Sequence, residues 1–213
     1  MSMDFAAFQT AFDVSRETMV RFLTFEALLR KWQAKINLVG PATLNEFWGR
    51  HAADSLQLAG LAPDGAQTWI DLGSGAGFPG LIIAFSNRFQ GTVYLVESDK
   101  RKASFLQAAL REVPARAVVI NKRIEDVTSH DVGSVDVVSA RALAPMPKLL
   151  SLSAGFFHGH TVGLFPKGQN WDRELVEAAQ KWVLSYDLHQ SVTNPDARII
   201  KLTQLSPRAL ENL

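Results

Sequence analysis

The chain has 213 residues, of which 47% are hydrophobic and 20% charged, and this composition is ordinary for a folded globular protein. The sequence contains no cysteine, which excludes disulfide bonds and thiolate metal sites. No stretch resembles a signal peptide or reaches the roughly 18 apolar residues of a membrane span, so we expect a cytoplasmic protein with no membrane partner. The net charge of +1 allows an RNA partner only if the 22 Lys and Arg residues are concentrated on one face.

Residues 1–60 are predicted to form a helical extension. Phe5, Phe8 and Phe12 recur at helical spacing, and a longer stripe at 3-4-3-4 spacing follows. The members of this second stripe are Phe22, Phe25, Leu29, Trp32 and Ile36. The pattern favours an amphipathic helix packed on the main domain. Lys31 and Lys35 at its end suit either the helix dipole or a phosphate.

A second helical segment is predicted after the break at Gly40-Pro41, because Thr43-Leu44-Asn45-Glu46 matches a capping box. Its predicted face carries Phe47, His51, Asp54 and Leu58, with Ser55 beside them. The polar side chains of this face either satisfy one another within the fold or close over a neighbouring loop, and the sequence leaves both alternatives open. Nothing near Ser55 predicts an oxyanion hole, so no nucleophile is inferred there.

Four glycines follow the short apolar strand 69–72, at positions 73, 75, 77 and 80. A turn through Gly73, Gly75 and Gly77 can take positive φ and bring backbone N–H groups close to a ligand. Pro79 suits the first turn of a predicted helix over 80–89, whose positive end would face that ligand. The sequence therefore predicts a cofactor-binding loop, with a ligand-free glycine-rich turn as the alternative.

Two cofactors compete for this loop. Residues 75–80 match the dinucleotide pattern G-x-G-x-x-G. Asp71, two residues before Gly73, extends the motif to D-x-G-x-G-x-G, which resembles motif I of Rossmann-like S-adenosylmethionine methyltransferases. A carboxylate suits the ammonium and sulfonium groups of S-adenosylmethionine better than an anionic pyrophosphate, so we favour S-adenosylmethionine.

From residue 68 onward, short strands alternate with helices, which predicts an α/β fold with a mostly parallel sheet. Strands are predicted at 69–72, 92–97, 117–121, 135–139 and 161–165, and helices at 100–112, 148–157 and 172–182. Two last strands, 186–189 and 198–202, are joined through the turn Asn194-Pro195-Asp196. This hairpin predicts that one C-terminal strand runs antiparallel to the rest.

Charged residues follow the ends of these strands, where ligands bind in such folds. Glu97 ends the second strand and is expected to accept hydrogen bonds from both ribose hydroxyls, with a surface carboxylate as the alternative. Arg141 follows the fourth strand, beside the reactive end of the cofactor, and Lys167 lies at the crevice rim. Lys100, Arg101 and Lys102 oppose the dipole of the next helix, so they indicate either an RNA phosphate or an exposed turn.

The segment after the third strand contains Arg123, Ile124 and Glu125. In an adenosine site of this architecture, the segment at that position lies against the adenine. A backbone N–H and an acid are therefore expected to contact the edge of the base.

Across residues 25–202 the chain resembles one family, the bacterial small-subunit rRNA guanine-N7 methyltransferases known as RsmG or GidB. The resemblance is carried by several motifs in order along the chain. They are Lys35-Ile36-Asn37-Leu38, His51 with Asp54-Ser55, the stretch 71–80, Glu97-Ser98 with Lys100 and Lys102, Arg123 with Glu125, Ser139-Ala140-Arg141-Ala142 and Lys167-Gly168. It implies one methyltransferase domain over 1–213, with the extension 1–60 and a Rossmann-like core over 66–205.

The resemblance also implies an activity, the transfer of a methyl group from S-adenosylmethionine to N7 of one guanine in the decoding-region loop of 16S rRNA. By position, Gly73, Phe78, Ile124, Glu125 and Arg141 are expected to contact the cofactor, and a monomer that needs no metal is expected. Asp71, Gly75, Gly77 and Glu97 complete the expected cofactor set. Guanine N7 has a free lone pair, so no general base is required.

Arg141, Arg123 and Lys167 are our candidates for the catalytic cations, which would bind phosphates or O6 away from N7, since an Arg on the N7/O6 edge would block the reacting atom. Two other functions were weighed. A nicotinamide-dependent oxidoreductase would need a proton donor such as Tyr in the crevice, whereas Tyr94 and Tyr186 lie in predicted strands. A non-catalytic RNA-binding or ribosome-assembly factor would retain the cofactor fold without the reaction.

Overall fold

The computed structural model describes residues 3–208. Its α-helices are α1 (Phe5–Phe12), α2 (Arg16–Gln33), α3 (Asp54–Leu56), α4 (Gly80–Phe85), α5 (Lys100–Glu112), α6 (Ser129–Val132), α7 (Met146–Ser153) and α8 (Trp171–Ala179). Its strands are β1 (Thr68–Leu72), β2 (Thr92–Val96), β3 (Ala117–Ile120), β4 (Val137–Ser139), β5 (Val162–Lys167), β6 (Trp182–Gln190) and β7 (Arg198–Pro207). The predicted domain limits of 1–213 include seven terminal positions that lie outside the described residues.

Within residues 3–208, seven strands form one sheet in the order β3-β2-β1-β4-β5-β7-β6. The pairs among β1 to β5 are parallel, and β7 runs antiparallel to both β5 and β6. The predicted fold class, a mostly parallel sheet with one antiparallel C-terminal strand, is confirmed. Because β2 and β4 lie on opposite sides of β1, the order in which strands are added to the sheet reverses at β1. The carboxyl ends of these strands border the crevice where α/β folds bind ligands.

The predicted amphipathic stripe of α2 packs on one face of the sheet, together with α4 and α5. Phe22, Phe25 and Leu29 are fully buried, and the ring of Phe25 lies 5.6 Å from that of Phe85 and 6.1 Å from that of Phe105. Burial of each such side chain stabilises the fold by about 1.5–3 kcal/mol. The helical extension therefore shares its apolar core with α4 and α5, as the spacing predicted.

The capping box predicted at Thr43 to Glu46 is wrong. A 3₁₀-helix already begins at Pro41, and the Thr43 hydroxyl donates to the carbonyl of Gly40 at 2.8 Å instead of capping a helix. Proline at the first position suits this early start, because its missing N–H has no partner there in any helix. The segment continues as a π-helix over Phe47–Ala53, then α3, then a 3₁₀-helix over Gln57–Leu61.

Other predicted boundaries shift by a few residues. Helix α4 ends at Phe85 instead of residue 89, because Asn87 takes a left-handed φ of 59° that ends the helix. Helix α8 ends at Ala179, because Trp182 joins β6 and pairs with Pro207 of β7. The C-terminal hairpin is accordingly longer than predicted.

Within the described part of the chain, none of the helices has the length and apolar character needed to cross a membrane.

Candidate functional site

The loop after β1 has the backbone conformation that its glycines predict. Gly73, Gly75 and Gly77 have φ of +66°, +54° and +87°, a region that residues with a Cβ rarely adopt. An added Cβ would lie 2.6 Å from Leu143 at Gly73 and 2.5 Å from Leu81 at Gly77. At Gly75 its nearest neighbour would be the Gly73 carbonyl oxygen, at 3.8 Å. The first and third glycines are thus packed against side chains, whereas Gly75 faces open space.

Glu97 lies at this loop, as the strand order predicts. Its side chain accepts hydrogen bonds from the backbone N–H of Gly75 at 2.9 Å and of Asp99 at 2.8 Å. The residue is only 7% exposed, so these bonds satisfy a carboxylate that burial would otherwise penalise. A carboxylate can accept about four hydrogen bonds, which leaves capacity for the hydroxyls of a ribose. Asn121, which the sequence analysis missed, donates to the Glu97 carbonyl at 2.7 Å and ties the next loop to this one.

Asp71 lies beneath the loop and has no exposed surface. It accepts hydrogen bonds from the Ser139 hydroxyl at 2.8 Å and from the backbone N–H of Gly80 at 3.2 Å. Burial raises the pKa of this carboxyl to about 6, against the lowering effect of its hydrogen bonds. These contacts join β1 to β4 and to the start of α4. The cofactor contact expected of Asp71 from the sequence stays a prediction.

Ser139 belongs to the motif 139–142 quoted for the resemblance, but the sequence assigned it no role of its own. Its hydroxyl accepts from the indole N–H of Trp69 at 2.8 Å while donating to Asp71. The parallel register places Ser139 directly beside Asp71 on the neighbouring strand. A polar residue ending a buried strand is the sequence signal that could have identified it, but the pairing partner depends on the strand order.

Phe78 lies almost fully buried at the end of the loop, 4% exposed, and it is the meeting point of three other elements. The His51 ring from the π-helix is stacked on it, with centroids 4.6 Å apart, and the Phe25 ring of α2 meets it edge-on at 5.6 Å. The Arg141 guanidinium carbon lies 5.0 Å from its centroid. The segment carrying His51 therefore closes over the glycine loop, which was one of the two alternatives for its polar face.

Arg141 is held by partners from the same segment. One terminal nitrogen donates to the Arg50 carbonyl at 2.9 Å and to Asp54 Oδ2 at 3.3 Å, and the other lies 3.0 Å from His51 Nδ1. Burial lowers the pKa of the guanidinium, and the charge of Asp54 opposes that shift. The polar residues of the 51–54 region thus also satisfy one another through Arg141. The buried Ser55 hydroxyl has no hydrogen-bond partner among residues 3–208.

His51 is held in its neutral form. Burial, followed by the charge of Arg141, lowers its pKa to about 3. Because a guanidinium can only donate, Nδ1 must accept from Arg141, and the remaining proton sits on Nε2, 3.1 Å from the Thr43 hydroxyl oxygen. The imidazole therefore acts as a fixed acceptor for Arg141 across the physiological pH range.

Asp54 connects the site to the C-terminal hairpin. Its Oδ1 accepts from the Thr193 hydroxyl at 3.0 Å and from the Gln57 side-chain amide at 2.9 Å. Gln57 in turn accepts from the backbone N–H of Val192 at 2.9 Å. Neither Gln57 nor Thr193 was identified from the sequence, because they are 136 positions apart and only the fold brings them together.

The remaining predicted residues lie around this centre. Arg123 and Glu125 are exposed and Ile124 is half-buried, in and just before a 3₁₀-helix over Ile124–Asp126 that follows β3. Lys167 ends β5 as predicted, but its side chain is only 9% exposed and its ammonium is 2.8 Å from Glu174 Oε2.

The Lys167 ammonium also donates to the carbonyl of Ala144 at 2.7 Å, and Glu174 accepts from the Met146 backbone N–H at 2.7 Å. The charge of Lys167 therefore holds the loop after β4 instead of lying free at the rim.

Across residues 3–208, no cluster of three or more His, Asp or Glu side chains could hold a metal ion.

Comparisons with known proteins identify the family of this chain. The GidB family profile, described as rRNA small subunit methyltransferase G, matches residues 18–202. The chain is 50% identical over 204 residues to the ribosomal RNA small subunit methyltransferase G of Methylobacterium radiotolerans, covering 95% of this chain and 96% of that protein. It is 44% identical to the protein of the same name from Rhodospirillum centenum, covering 96% and 92%.

Solved structures at low identity show the same fold. The fibrillarin of Aeropyrum pernix in complex with S-adenosyl-L-methionine aligns with a TM-score of 0.55 at 16% identity, covering 72% of this chain and 76% of that chain. TYW2 of M. jannaschii in complex with AdoMet aligns with a TM-score of 0.55 at 16% identity, covering 83% and 80%.

Proposed function

The chain belongs to the family of rRNA small subunit methyltransferase G, and from that premise we propose that its glycine loop, Glu97 and Arg141 hold S-adenosylmethionine for methylation of N7 of one guanine in 16S rRNA. The chain is an S-adenosylmethionine-dependent methyltransferase that acts on small-subunit rRNA, so the nicotinamide-dependent alternative is excluded. The observation that supports the site assignment best is the carboxylate of Glu97, which accepts from the backbone N–H of Gly75 at 2.9 Å, where the glycine loop 73–77 is open.

The residues present fit this cofactor. The open face of Gly75 leaves room for a ligand, and the spare lone pairs of Glu97 suit ribose hydroxyls. Ile124 and Glu125 are proposed to contact the adenine, and Phe78 with Arg141 to border the methionine end. Gly73 and Gly77 shape the loop, and Asp71 is proposed to position it from below.

The proposed contribution of the chain to the reaction is orientation. When bound, S-adenosylmethionine supplies an electrophilic methyl group on its sulfonium. Guanine N7 has an in-plane lone pair and no proton, so the chain need not provide a general base. Phe78 offers an apolar wall that excludes water. Because the product base is positively charged, the fixed Arg141 is proposed to bind a phosphate or O6 and not the reacting edge of the base.

Arg123, exposed beside the proposed adenine segment, is proposed to bind the RNA. Lys167 is proposed as a positioning residue, because its ammonium is bonded to Glu174 and Ala144. We further propose that the chain works in the cytoplasm as a monomer, with the helical extension and the sheet forming one domain through their shared core.

The test uses small ribosomal subunits from cells that lack the protein. The purified chain with S-adenosylmethionine is expected to restore one N7-methylguanine in 16S rRNA, read by mass spectrometry. Arg141→Ala is expected to keep the fold and lower kcat/KM at least about tenfold, or about 1.4 kcal/mol. Arg141→Lys keeps the positive charge but loses the planar guanidinium with its several N–H donors. Its activity should therefore be nearly as low as that of Arg141→Ala.

Two results would contradict the proposal. Arg141→Ala activity within about twofold of the parent would remove the assigned role of Arg141. A methyl mark that is present in cells lacking the protein would favour the non-catalytic assembly factor instead.

A further inference from the structure

A cavity outside the cofactor site lies between the end of α2 and the start of α5. It has a volume of about 180 Å³ and is lined by Lys35, Ile36, Asn37, Asp99, Arg101 and Lys102. Three of its six lining residues are cations, and they come from two elements separated by more than 60 positions in the sequence. The fold therefore brings Lys35 beside Arg101 and Lys102, cations for which the sequence left a phosphate as one of two alternatives.

The charge of this cavity is not balanced within the fold. Among the described residues, Lys35 and Lys102 take part in no ion pair, and Arg101 meets Asp99 only at 3.8 Å with its side chain 75% exposed. Asp99 is the single acid of the lining. Its carboxylate is already engaged, because it caps α5 by accepting from the backbone N–H of Arg101 at 2.8 Å and of Lys102 at 3.2 Å.

The placement of the cations also costs helix stability. The first turn of α5 contains Lys100, Arg101 and Lys102 and no acid, so three positive charges lie at the positive end of the helix dipole. Such a placement is unfavourable by a few tenths of a kcal/mol for each charge at the surface. A bound anion would reverse the sign of this interaction.

We propose that this cavity binds a backbone phosphate of the rRNA substrate, an inference that rests on the proposed function. The amide of Asn37, the ammonium groups of Lys35 and Lys102 and the guanidinium of Arg101 offer donors to phosphate oxygens. The cavity is linked to the cofactor site by one hydrogen bond, since the Asp99 N–H donates to Glu97 at 2.8 Å. A phosphate held here anchors the RNA beside the adenosine carboxylate without contacting the base that is methylated.

The experiment measures equilibrium binding of a fluorescent 16S rRNA fragment that contains the decoding-region loop, across a series of salt concentrations. The double variant Lys35→Gln/Lys102→Gln is compared with Lys148→Gln/Lys181→Gln, which removes the same charge from the exposed surface of α7 and from the turn after α8. Loss of one phosphate contact is expected to raise Kd about fivefold or more and to reduce the slope of log Kd against log salt by about one. The control pair is expected to match the parent.

Calorimetry with S-adenosylhomocysteine and a thermal melt accompany both pairs. Cofactor affinity of the cavity variant should equal that of the control pair, because the substituted side chains are not part of the cofactor set. Its melting temperature should be equal or slightly higher, since Lys102→Gln removes one unfavourable charge from the first turn of α5. Equal Kd and equal salt slopes for the two pairs would overturn the inference, even if the parent methylates 16S rRNA. Failure of the parent to leave a methyl mark would contradict the proposed function, while the RNA-binding comparison would still decide the role of the cavity.

Discussion

The imidazole of His51 lies flat on the ring of Phe78, with 4.6 Å between ring centroids and 15° between ring planes. This stack joins the π-helix to the glycine loop, and the same imidazole accepts a hydrogen bond from Arg141. One side chain thus links the apolar wall of the site to its cation. A π-helical turn at such a place fits the frequent association of this irregularity with functional sites.

His51→Phe separates these two roles. The substitution keeps a flat ring against Phe78 but leaves a donor of Arg141 without its acceptor, so stability should fall by about 1–3 kcal/mol. Methyl transfer should fall about tenfold, because Arg141 is no longer fixed. His51→Ala should in addition lose about 2–4 kcal/mol of stability through the cavity that it leaves. Thermal melts and initial rates measure both effects, and a fully active His51→Phe protein would show that the stack alone matters.

Gly75→Ala tests the open position of the loop. The added methyl meets nothing closer than 3.8 Å in the protein, so its structural cost is the left-handed φ, about 1–2 kcal/mol. The methyl projects toward the proposed cofactor, so affinity for S-adenosylhomocysteine should fall at least about tenfold. Gly65→Ala is the matched control, since Gly65 also has a positive φ, +76°, and open surroundings. Equal affinity for the two variants in calorimetry would contradict the loop assignment.

Asp71→Asn should change how stability depends on pH. In the unfolded chain this carboxyl ionises near its ordinary pKa of 3.8, and in the folded protein it does so at about 6. Between about pH 4 and pH 6 the folded state retains a proton that the unfolded state has lost, so this contribution to the free energy of unfolding falls as pH rises through that window and is constant above it. The difference between the two pKa values corresponds to about 3 kcal/mol.

Denaturant unfolding at several pH values measures the effect as the difference between variant and parent. From pH 4 to pH 6 the free energy of unfolding of Asp71→Asn should rise relative to that of the parent, because an amide has no charge to bury. Hydrogen bonds lower the pKa values of Asp99 and Asp131, and backbone hydrogen bonds lower that of Asp136 against its partial burial, so these groups act in the opposite direction. They are common to both proteins and cancel in the difference. A pH-independent difference would refute the raised pKa of Asp71.

Lys167→Met tests whether this cation serves the fold or the RNA. Removing the ammonium leaves the half-buried carboxylate of Glu174 with one partner fewer, and stability should fall by about 1–3 kcal/mol. The slope of RNA binding against salt should stay at the parent value, in contrast to the cavity variant. Glu174→Gln is the companion change, expected to be destabilising to a similar extent. A reduced salt slope for Lys167→Met would restore Lys167 as an RNA contact.

Local patterns predicted much of the scaffold correctly. The boundaries of α5, the parallel core strands and the buried stripe of α2 follow from hydrophobic periodicity, because burial of one face imposes that spacing on the residues themselves. The positive φ at three glycines also followed from their spacing after a strand. The capping box at Thr43 and the long helix after Gly80 failed, because a proline at the first position and a left-handed Asn87 decided those ends instead.

By itself, the sequence determined the class of fold, the positive-φ glycine loop and the acid that bonds to it, since each depends on residues close together in the chain or on the strand order. Only the tertiary structure decided which charges remain free. Lys167 and Asp71 each bond to a separate partner inside the fold. Arg141 is fixed by His51 and Asp54, and Lys35 lies with Arg101 and Lys102 around a cavity of unbalanced charge. The physical reason is that the state of a charge depends on its nearest partners and its burial, and both are set by contacts between segments far apart in the chain.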